Sequence, residues 1–366
     1  MRKCPYCDFN SFKATGALPE AAYVDALLRD FASEAKNICG REIQSIYIGG
    51  GTPSLFRPES IERLLDGIAR ACSLRTDLEI SLEANPGAIE LERFAGFREA
   101  GVNRVSIGVQ SFRDQQLRSL GRVHDAEAAR RAVAAALNSN FRSVNVDLMY
   151  GLPGDDRESA LLDLDELLAM QPQHFSWYQL TLEPNTAFYR RPPSNLPAEP
   201  ALLAIEAEGR ARISSSGFVR YEVSAYTRGQ SECAHNLNYW MFGDYIGIGA
   251  GAHGKHTEAE QGVVKRSSKL RNPRSFMNFA GRDENVAIEI VEAPDSLTLE
   301  YLMGSLRLMG GMRLDNFEAR TGLNATVLRP RLAVAQARGW IRLHGSEVHP
   351  TELGMQQLNA FLMLFC

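Results

Sequence analysis

Residues 43–54 read Ile43-Gln44-Ser45-Ile46-Tyr47-Ile48-Gly49-Gly50-Gly51-Thr52-Pro53-Ser54. The first six form a short apolar run of strand length. The glycines after it let backbone N–H and C=O groups approach a ligand with no Cβ in between. A helix follows, with Ile61, Leu64, Leu65 and Ile68 on one face. The run is not a phosphate loop, because no Gly-Lys-Ser/Thr follows it. A plain strand-to-helix turn is the simpler reading, but such a turn needs fewer glycines, and each one adds unfolded-state entropy.

The same strand-then-helix rhythm extends to either side. Helical spacing runs from Ala21 to Cys39. Strands are expected at Leu78–Glu83, Val102–Val109, Val144–Met149 and Phe175–Leu182. Helices are expected at Ile89–Ala100, within Asp114–Leu120 and Asp125–Asn138, and at Glu158–Met170 and Glu199–Ser214, with Val219–Val223 closing the series. This alternation predicts an α/β fold of parallel βαβ units, with helices outside a curved sheet and chemistry at the C-terminal strand ends. Gly49, Gly50, Gly51, Glu83, Gln110, Asp147 and Glu183 fall at those ends. Asn195–Pro200 and Lys255–Pro273 read as loops. After Pro294 the composition resets to helices at Ser296–Leu308, Arg313–Thr321 and Leu328–Gly339, then a hairpin of Trp340–Leu343 with Ser346–His349. That order is winged-helix-like. Arginine is not concentrated on one recognition helix, so a structural or partner-docking lid is preferred over a DNA reader.

Of the 366 residues, 45% are hydrophobic and 23% charged, the balance of a globular protein. The net charge of −4 gives no general reason to expect nucleic acid or an anionic membrane as partner. No apolar run is long enough to cross a bilayer, and the first residues do not form a secretory signal. Cys4, Cys7, Cys39, Cys72, Cys233 and Cys366 are scattered, which argues against a disulfide framework and for the reduced cytosol. On spacing alone, Cys4-Pro5-Tyr6-Cys7 fits a redox pair, half of a zinc site, part of an iron–sulfur site, or two free thiols.

Read together, Cys-Pro-Tyr-Cys-Asp-Phe (4–9) and Ile-Gly-Gly-Gly-Thr-Pro-Ser (48–54) resemble the radical S-adenosylmethionine (SAM) superfamily. Leu82-Glu83-Ala84-Asn85-Pro86-Gly87, Ser106 to Phe112, and Asp147-Leu148-Met149-Tyr150-Gly151-Leu152-Pro153 resemble its coproporphyrinogen-dehydrogenase-like branch. His235-Asn236-Leu237-Asn238-Tyr239-Trp240 and Gly243 to Gly249 resemble the haem chaperone (HemW) subfamily. The likeness is strong from Met1 to about His253 and weaker beyond.

The resemblance implies a partial (βα) barrel of radical SAM type over 1–225, its first strand missing, a connecting region over 226–290, and a winged-helix-like domain over 291–366. It implies a [4Fe–4S] cluster with Cys4 and Cys7 as the second and third ligands and an open iron for the amino and carboxylate groups of SAM. Tyr6, Gly50, Gly51, Thr52, Glu83, Gln110, Arg122 and Asp147 match positions that contact SAM. Each taken alone is equally an ordinary polar rim residue. A complete C-x-x-x-C-x-x-C loop would place its first cysteine immediately before Met1, so the third thiolate is absent here and a truncated start is expected.

Phe9 stands where coproporphyrinogen dehydrogenases carry a further cysteine, which favours the chaperone subfamily. His235 is the candidate haem contact, with Tyr239 and Trp240 for stacking; a buried His-Asn pair holding a turn is the alternative. His253 and His256 are weaker candidates. His124 and His174 are expected to have ordinary roles, in a helix and at a strand edge. The function implied is haem binding and delivery to client haemoproteins or membrane respiratory enzymes, from the cytoplasm and peripheral to the membrane through partners. A homodimer stays open. The alternatives are a coproporphyrinogen-type radical oxidase and a cluster-less remnant.

Overall fold

The structure, a computed structural model, describes residues 3–12, 18–38, 40–258, 261–291 and 293–366. They divide into two compact units, one built from 1–24, 40–220 and 224–232, the other from 25–39, 221–223 and 233–366.

In chain order the first elements are α1 (Glu20–Glu34), β1 (Ile43–Ile48), α2 (Pro58–Ala71), β2 (Leu74–Ala84), α3 (Ala88–Glu99), β3 (Arg104–Gln110), α4 (Asp114–Ser119), α5 (Ala126–Asn138), β4 (Ser143–Tyr150), α6 (Arg157–Met170), β5 (His174–Gln179), α7 (Ala187–Arg190), α8 (Glu199–Ser215), β6 (Val219–Arg220) and β7 (Ala225–Thr227). The strands form one sheet in the order β1-β2-β3-β4-β5-β7-β6, with β1 to β5 parallel and β7 antiparallel to both β5 and β6. β1 and β6 end the sheet among the described residues, so it is an open, partial barrel.

Strand side chains alternate between faces, and the two faces here differ sharply. One carries Leu82, Val105, Ile107, Val109, Val144, Val146, Leu148, Phe175 and Trp177, all buried in one core with Phe94 and Phe97 of α3, Ala132 and Val133 of α5, and Leu161 and Leu164 of α6. The opposite face carries Glu79, Ser81, Arg104, Asn145 and His174, which are buried although polar. The parallel register places Glu83 beside Ser106, Gly108 beside Asp147, and Asp147 beside Ser176. The polar face therefore runs unbroken across four strands.

Two expectations need correction. Strand structure stops at Arg220 rather than Val223, because Tyr221 accepts from the backbone of Met309 and Glu222 bridges Leu308, which takes this stretch into the second unit. The short β7 was not expected at all. Phe175–Leu182 is likewise shorter, ending at Gln179.

The second unit holds α9 (Ala234–Trp240), β8 (His253–Glu258), β9 (Val263–Lys269), α10 (Pro273–Phe279), β10 (Val286–Val291), α11 (Pro294–Ser305), β11 (Met312–Arg313), α12 (Leu314–Thr321), α13 (Arg329–Ala337), β12 (Ile341–His344), β13 (Glu347–Pro350), α14 (Glu352–Gln356) and α15 (Leu358–Leu362). It contains two antiparallel sheets, β10-β9-β8 and β11-β13-β12. The helices and hairpin expected after Pro294 are present.

The Lys255–Pro273 loop expectation is wrong: most of it is the β8–β9 hairpin. Two of its lysines, Lys255 and Lys269, are buried and paired rather than solvent-facing. Lys255 Nζ donates to Asp244 Oδ1 (3.2 Å), to Thr257 Oγ1 (2.8 Å) and to the Phe242 carbonyl (3.0 Å). Lys269 Nζ donates to Asp30 Oδ1 (3.0 Å) and also pairs with Glu34. A buried lysine with such partners is tolerable where a bare one is not.

Candidate functional site

The Cys4–Cys7 segment is a tight turn with Pro5 at its second position, closed by the Cys7 N–H donating to the Cys4 carbonyl (3.2 Å). It is docked at three points. The Phe188 N–H donates to the Pro5 carbonyl (3.0 Å), and Cys4 Sγ lies 3.8 Å from the Gly121 carbonyl oxygen. Tyr6 packs with Leu120, Met149, Leu152 and Leu180. Gly121 has φ +68°, and a Cβ on it would lie 2.8 Å from Pro5 Cδ, so both backbone and space require glycine. Burial pushes the Cys7 thiol up, and it pushes the Tyr6 phenol up to about 12 against the opposing pull of Arg122.

The glycine run lies at the end of β1. Gly50 (φ +81°) and Gly51 (φ +62°) adopt left-handed conformations that disfavour a side chain. Gly49 is constrained by space instead: a Cβ there would lie 2.4 Å from the Tyr47 ring and 3.1 Å from Glu83 Cδ. Glu83 accepts from the Gly50 N–H (3.0 Å) and from the Tyr47 hydroxyl. Burial raises its carboxyl above the ordinary range. Thr52 Oγ1 accepts from Asn85 Nδ2 (3.1 Å).

Arg122 connects these parts. Its Nη2 donates to the Gly108 carbonyl (2.6 Å) and to Asn85 Oδ1 (2.7 Å), while Nη1 reaches the Tyr6 hydroxyl (3.5 Å) and Cys4 Sγ (4.0 Å). A Cβ on Gly108 would press on Gln110 Nε2 at 3.1 Å and Arg122 Nη2 at 3.4 Å. Gln110 has φ +72°, and the β3–β4 register shifts between Gly108 and Gln110. A glutamine held in that region is backbone strain at a strand end. Its Oε1 accepts from the Tyr178 hydroxyl (2.9 Å). Asp147 accepts from Asn145 Nδ2 (2.7 Å) and Ser106 Oγ (3.1 Å), and burial raises its carboxyl as well.

The contacts thus join Cys4, Tyr6, Arg122, Asn85 and Thr52 in one chain, with Glu83 attached through Gly50, and Gln110 beside Gly108. Asp147 stands next to Gly108 in register. Glu183, also expected at a strand end, stays exposed on the loop after β5, where it accepts from Thr181. Cys39 lies outside the described residues. Tyr47, Asn85, Tyr178 and Asn145 were missed. Two-residue spacing from Glu83 and Asp147 was the available signal for Asn85 and Asn145. The hydroxyls of Tyr47 and Tyr178 meet partners far away in sequence, and no local pattern shows that.

His124 is corrected: it lies between α4 and α5, not in a helix, with Nε2 3.2 Å from the Val109 carbonyl oxygen. Burial, then the nearby Arg122 charge, lowers its pKa to about 4. His174 opens β5, buried.

His235 lies on α9 in the second unit, its Nδ1 2.9 Å from Cys233 Sγ. Tyr239 is 52% exposed rather than in the core, its ring tilted at 36° to that of Tyr245 with centroids 5.6 Å apart. The Trp240 indole N–H is buried with no hydrogen-bond partner among the described residues, beneath the Arg307 guanidinium. His253 is exposed and His256 half-buried on β8.

Residues 1–167 match the radical SAM superfamily, and residues 293–356 match the HemN C-terminal domain. Heme chaperone HemW of Escherichia coli (strain K12) is 44% identical over all of this chain and 95% of its own length. The chain belongs to the HemW family. Heme chaperone HemW of Haemophilus influenzae is 42% identical over all of this chain and 95% of its own length. Among solved structures, a coproporphyrinogen III oxidase (HemN) from Escherichia coli, described as a radical SAM enzyme, overlays with a TM-score of 0.82 at 22% identity. That match covers 100% of this chain and 87% of HemN and shows a shared radical SAM fold. No helix among the described residues is long and apolar enough to cross a membrane.

The donor set fits the cofactors of that superfamily in part, with two of the three cluster thiols and the polar groups for SAM present among the described residues. Cys4 and Cys7 are thiols that could ligate iron. Gly49 and Gly108 let Tyr47, Glu83, Gln110 and Arg122 pack closely against the strand ends. Two half-buried carboxylates, Glu83 and Asp147, with the Arg122 charge acting on Asp147, suit a ligand that carries hydroxyl, ammonium and carboxylate groups.

Proposed function

We propose that this chain is a haem chaperone that uses a [4Fe–4S] cluster and SAM, and that it delivers haem to client haemoproteins. In this reading Cys4 and Cys7 are cluster ligands. Gly50, Gly51 and Thr52 contact SAM by backbone and hydroxyl, while Glu83, Gln110, Arg122 and Asp147 bind its polar groups. A bound cluster supplies an open iron for the amino and carboxylate groups of SAM. The chain's own residues do the rest. Arg122 sets a positive charge beside Cys4 and presents a face for a carboxylate. Glu83 accepts from an ammonium or hydroxyl group. Tyr6 and the apolar cluster it packs on anchor the turn that carries the two thiols.

One observation carries the SAM part: contacts and strand register gather Cys4, Arg122, Glu83 and Asp147 at one end of the sheet. The chaperone part is supported by 44% identity to a heme chaperone along the whole chain and by His235. The helix that holds His235 exposes Tyr239, a ring suited to stacking on a macrocycle.

Haem titration tests this reading. The expected result is a shifted Soret band at one haem per chain that His235→Ala abolishes. An unchanged band in the variant removes His235 from the reading. Steady turnover of coproporphyrinogen by the reconstituted protein would favour the oxidase alternative instead.

A further inference from the structure

Beneath Asp147 the polar face of the sheet continues into a buried network to which the proposed function gives no role. Asn145 precedes Asp147 by two residues on β4, so their side chains share that face. Its Nδ2 donates to Asp147 Oδ1 (2.7 Å) and to Ser106 Oγ (2.7 Å). Its Oδ1 accepts from His174 Nδ1 (2.6 Å) and Ser176 Oγ (3.3 Å). Ser106 Oγ then donates to Asp147 Oδ2 (3.1 Å). Asn145 is 5% exposed and His174 1%.

With Asp147 ionised, one assignment satisfies these donors and acceptors. A carboxylate only accepts, so Asn145 must turn its NH2 end towards Asp147. Its carbonyl end then faces His174, which must carry a proton on Nδ1 to donate. Ser106 receives from Asn145, and its hydroxyl proton is left to point at the second carboxylate oxygen. Both oxygens of Asp147 are therefore held from below, in one rotamer. A carboxylate supported on two sides by fixed donors does not reorganise when a ligand arrives.

We propose that His174 and Asn145 are positioning residues that orient the Asp147 carboxylate as an acceptor for the hydroxyls of a bound nucleoside. This rests on the reading of Asp147 as a SAM contact. Ser106 and Ser176 complete the support. His174 touches no ligand itself: it acts by fixing which way the Asn145 amide faces.

The test is SAM affinity, measured by equilibrium dialysis on the anaerobically reconstituted full chain, with far-UV circular dichroism and Tm confirming a folded protein. Losing one hydrogen bond to a charged group predicts about tenfold weaker binding in Asn145→Ala. His174→Phe should weaken it several-fold, whereas His174→Asn, which keeps a donor near the Nδ1 position, stays within about twofold of the parent. In an Asp147→Asn background, Asn145→Ala should add nothing further, because both act through one carboxylate. Nitrogen-15 NMR should find the His174 proton on Nδ1. Ser106→Ala offers a milder variant should Asn145→Ala not fold, with a loss of about threefold expected.

Full multiplication of the Asn145 and Asp147 effects would overturn the proposal. So would equal losses in His174→Asn and His174→Phe, which mark a packing role only. If Asp147→Asn alone leaves SAM affinity unchanged, the SAM reading of Asp147 fails first and this inference fails with it.

Discussion

Gly49→Ala separates a binding role for the glycine run from a folding role. Gly49 does not have the positive φ of Gly50 and Gly51, so its backbone tolerates alanine. At a tolerant position, Gly→Ala stabilises by about 0.4–1 kcal/mol through the unfolded state. Space opposes the change. The new Cβ would lie 2.4 Å from Tyr47 Cε1, 2.9 Å from Cζ and 3.1 Å from Glu83 Cδ. Carbon atoms rest about 3.5–4 Å apart, so the ring must move by about 1 Å or more. Tyr47 is 43% exposed and can swing into solvent, which keeps the folding cost low. What is lost is the phenol donor to Glu83. That bond to a charged acceptor contributes about 1.5 kcal/mol, or roughly tenfold in affinity.

The expected outcome is a urea midpoint near that of the parent and SAM binding about tenfold weaker by equilibrium dialysis. Tyr47→Phe, which removes only the hydroxyl, should reproduce the binding loss. Unchanged SAM affinity in Gly49→Ala would refute the reasoning. A stability loss above about 2 kcal/mol would refute it too, by moving the role of Gly49 to the backbone.

Further perturbations have similarly defined outcomes. Gly121→Ala forces a side chain at φ +68° into Pro5, so the Cys4–Cys7 turn should undock, and both thiols should react with a maleimide at least several-fold faster than in the parent. Arg113 bridges buried Asp155 (2.8 Å) and Asp163 (3.0 Å); Arg113→Ala leaves two buried carboxylates without their cation and should cost about 3–5 kcal/mol in urea unfolding. His124 titrates near 4 in the folded chain and near its ordinary 6.5 unfolded, so the unfolded state binds the extra proton between those values. Its contribution is complete above pH 6.5 and is lost as pH falls towards 4, a change of up to about 3 kcal/mol. The stability difference between parent and His124→Asn should shrink by that amount over the same window, and a pH-independent difference would contradict it.

How much of this was legible follows from where each partner lies in sequence. β1 was read at its observed bounds, because an apolar run meets a glycine stop. The C-terminal helices and hairpin were read from periodicity and turn residues. The β8–β9 hairpin was lost because hydropathy counts Lys255 and Lys269 as solvent-facing, while the fold buries both against carboxylates. β7 is three residues long and its pairing with β5 is remote, which no local pattern carries. Within the site, Glu83, Gln110 and Asp147 were visible as polar residues closing apolar strands. Period-two alternation from Glu83 and Asp147 also points to Asn85 and Asn145 on the same face. Tyr47 and Tyr178 were not accessible that way, since each finds its partner across strands.

The most direct measurement is SAM binding to the anaerobically reconstituted chain, compared across Glu83→Gln, Asp147→Asn and the exposed control Glu183→Gln. The account predicts one SAM per chain, with affinity about tenfold weaker or worse in the first two variants and unchanged in the control. Equal affinity in all three, or no SAM bound by the parent, would contradict it.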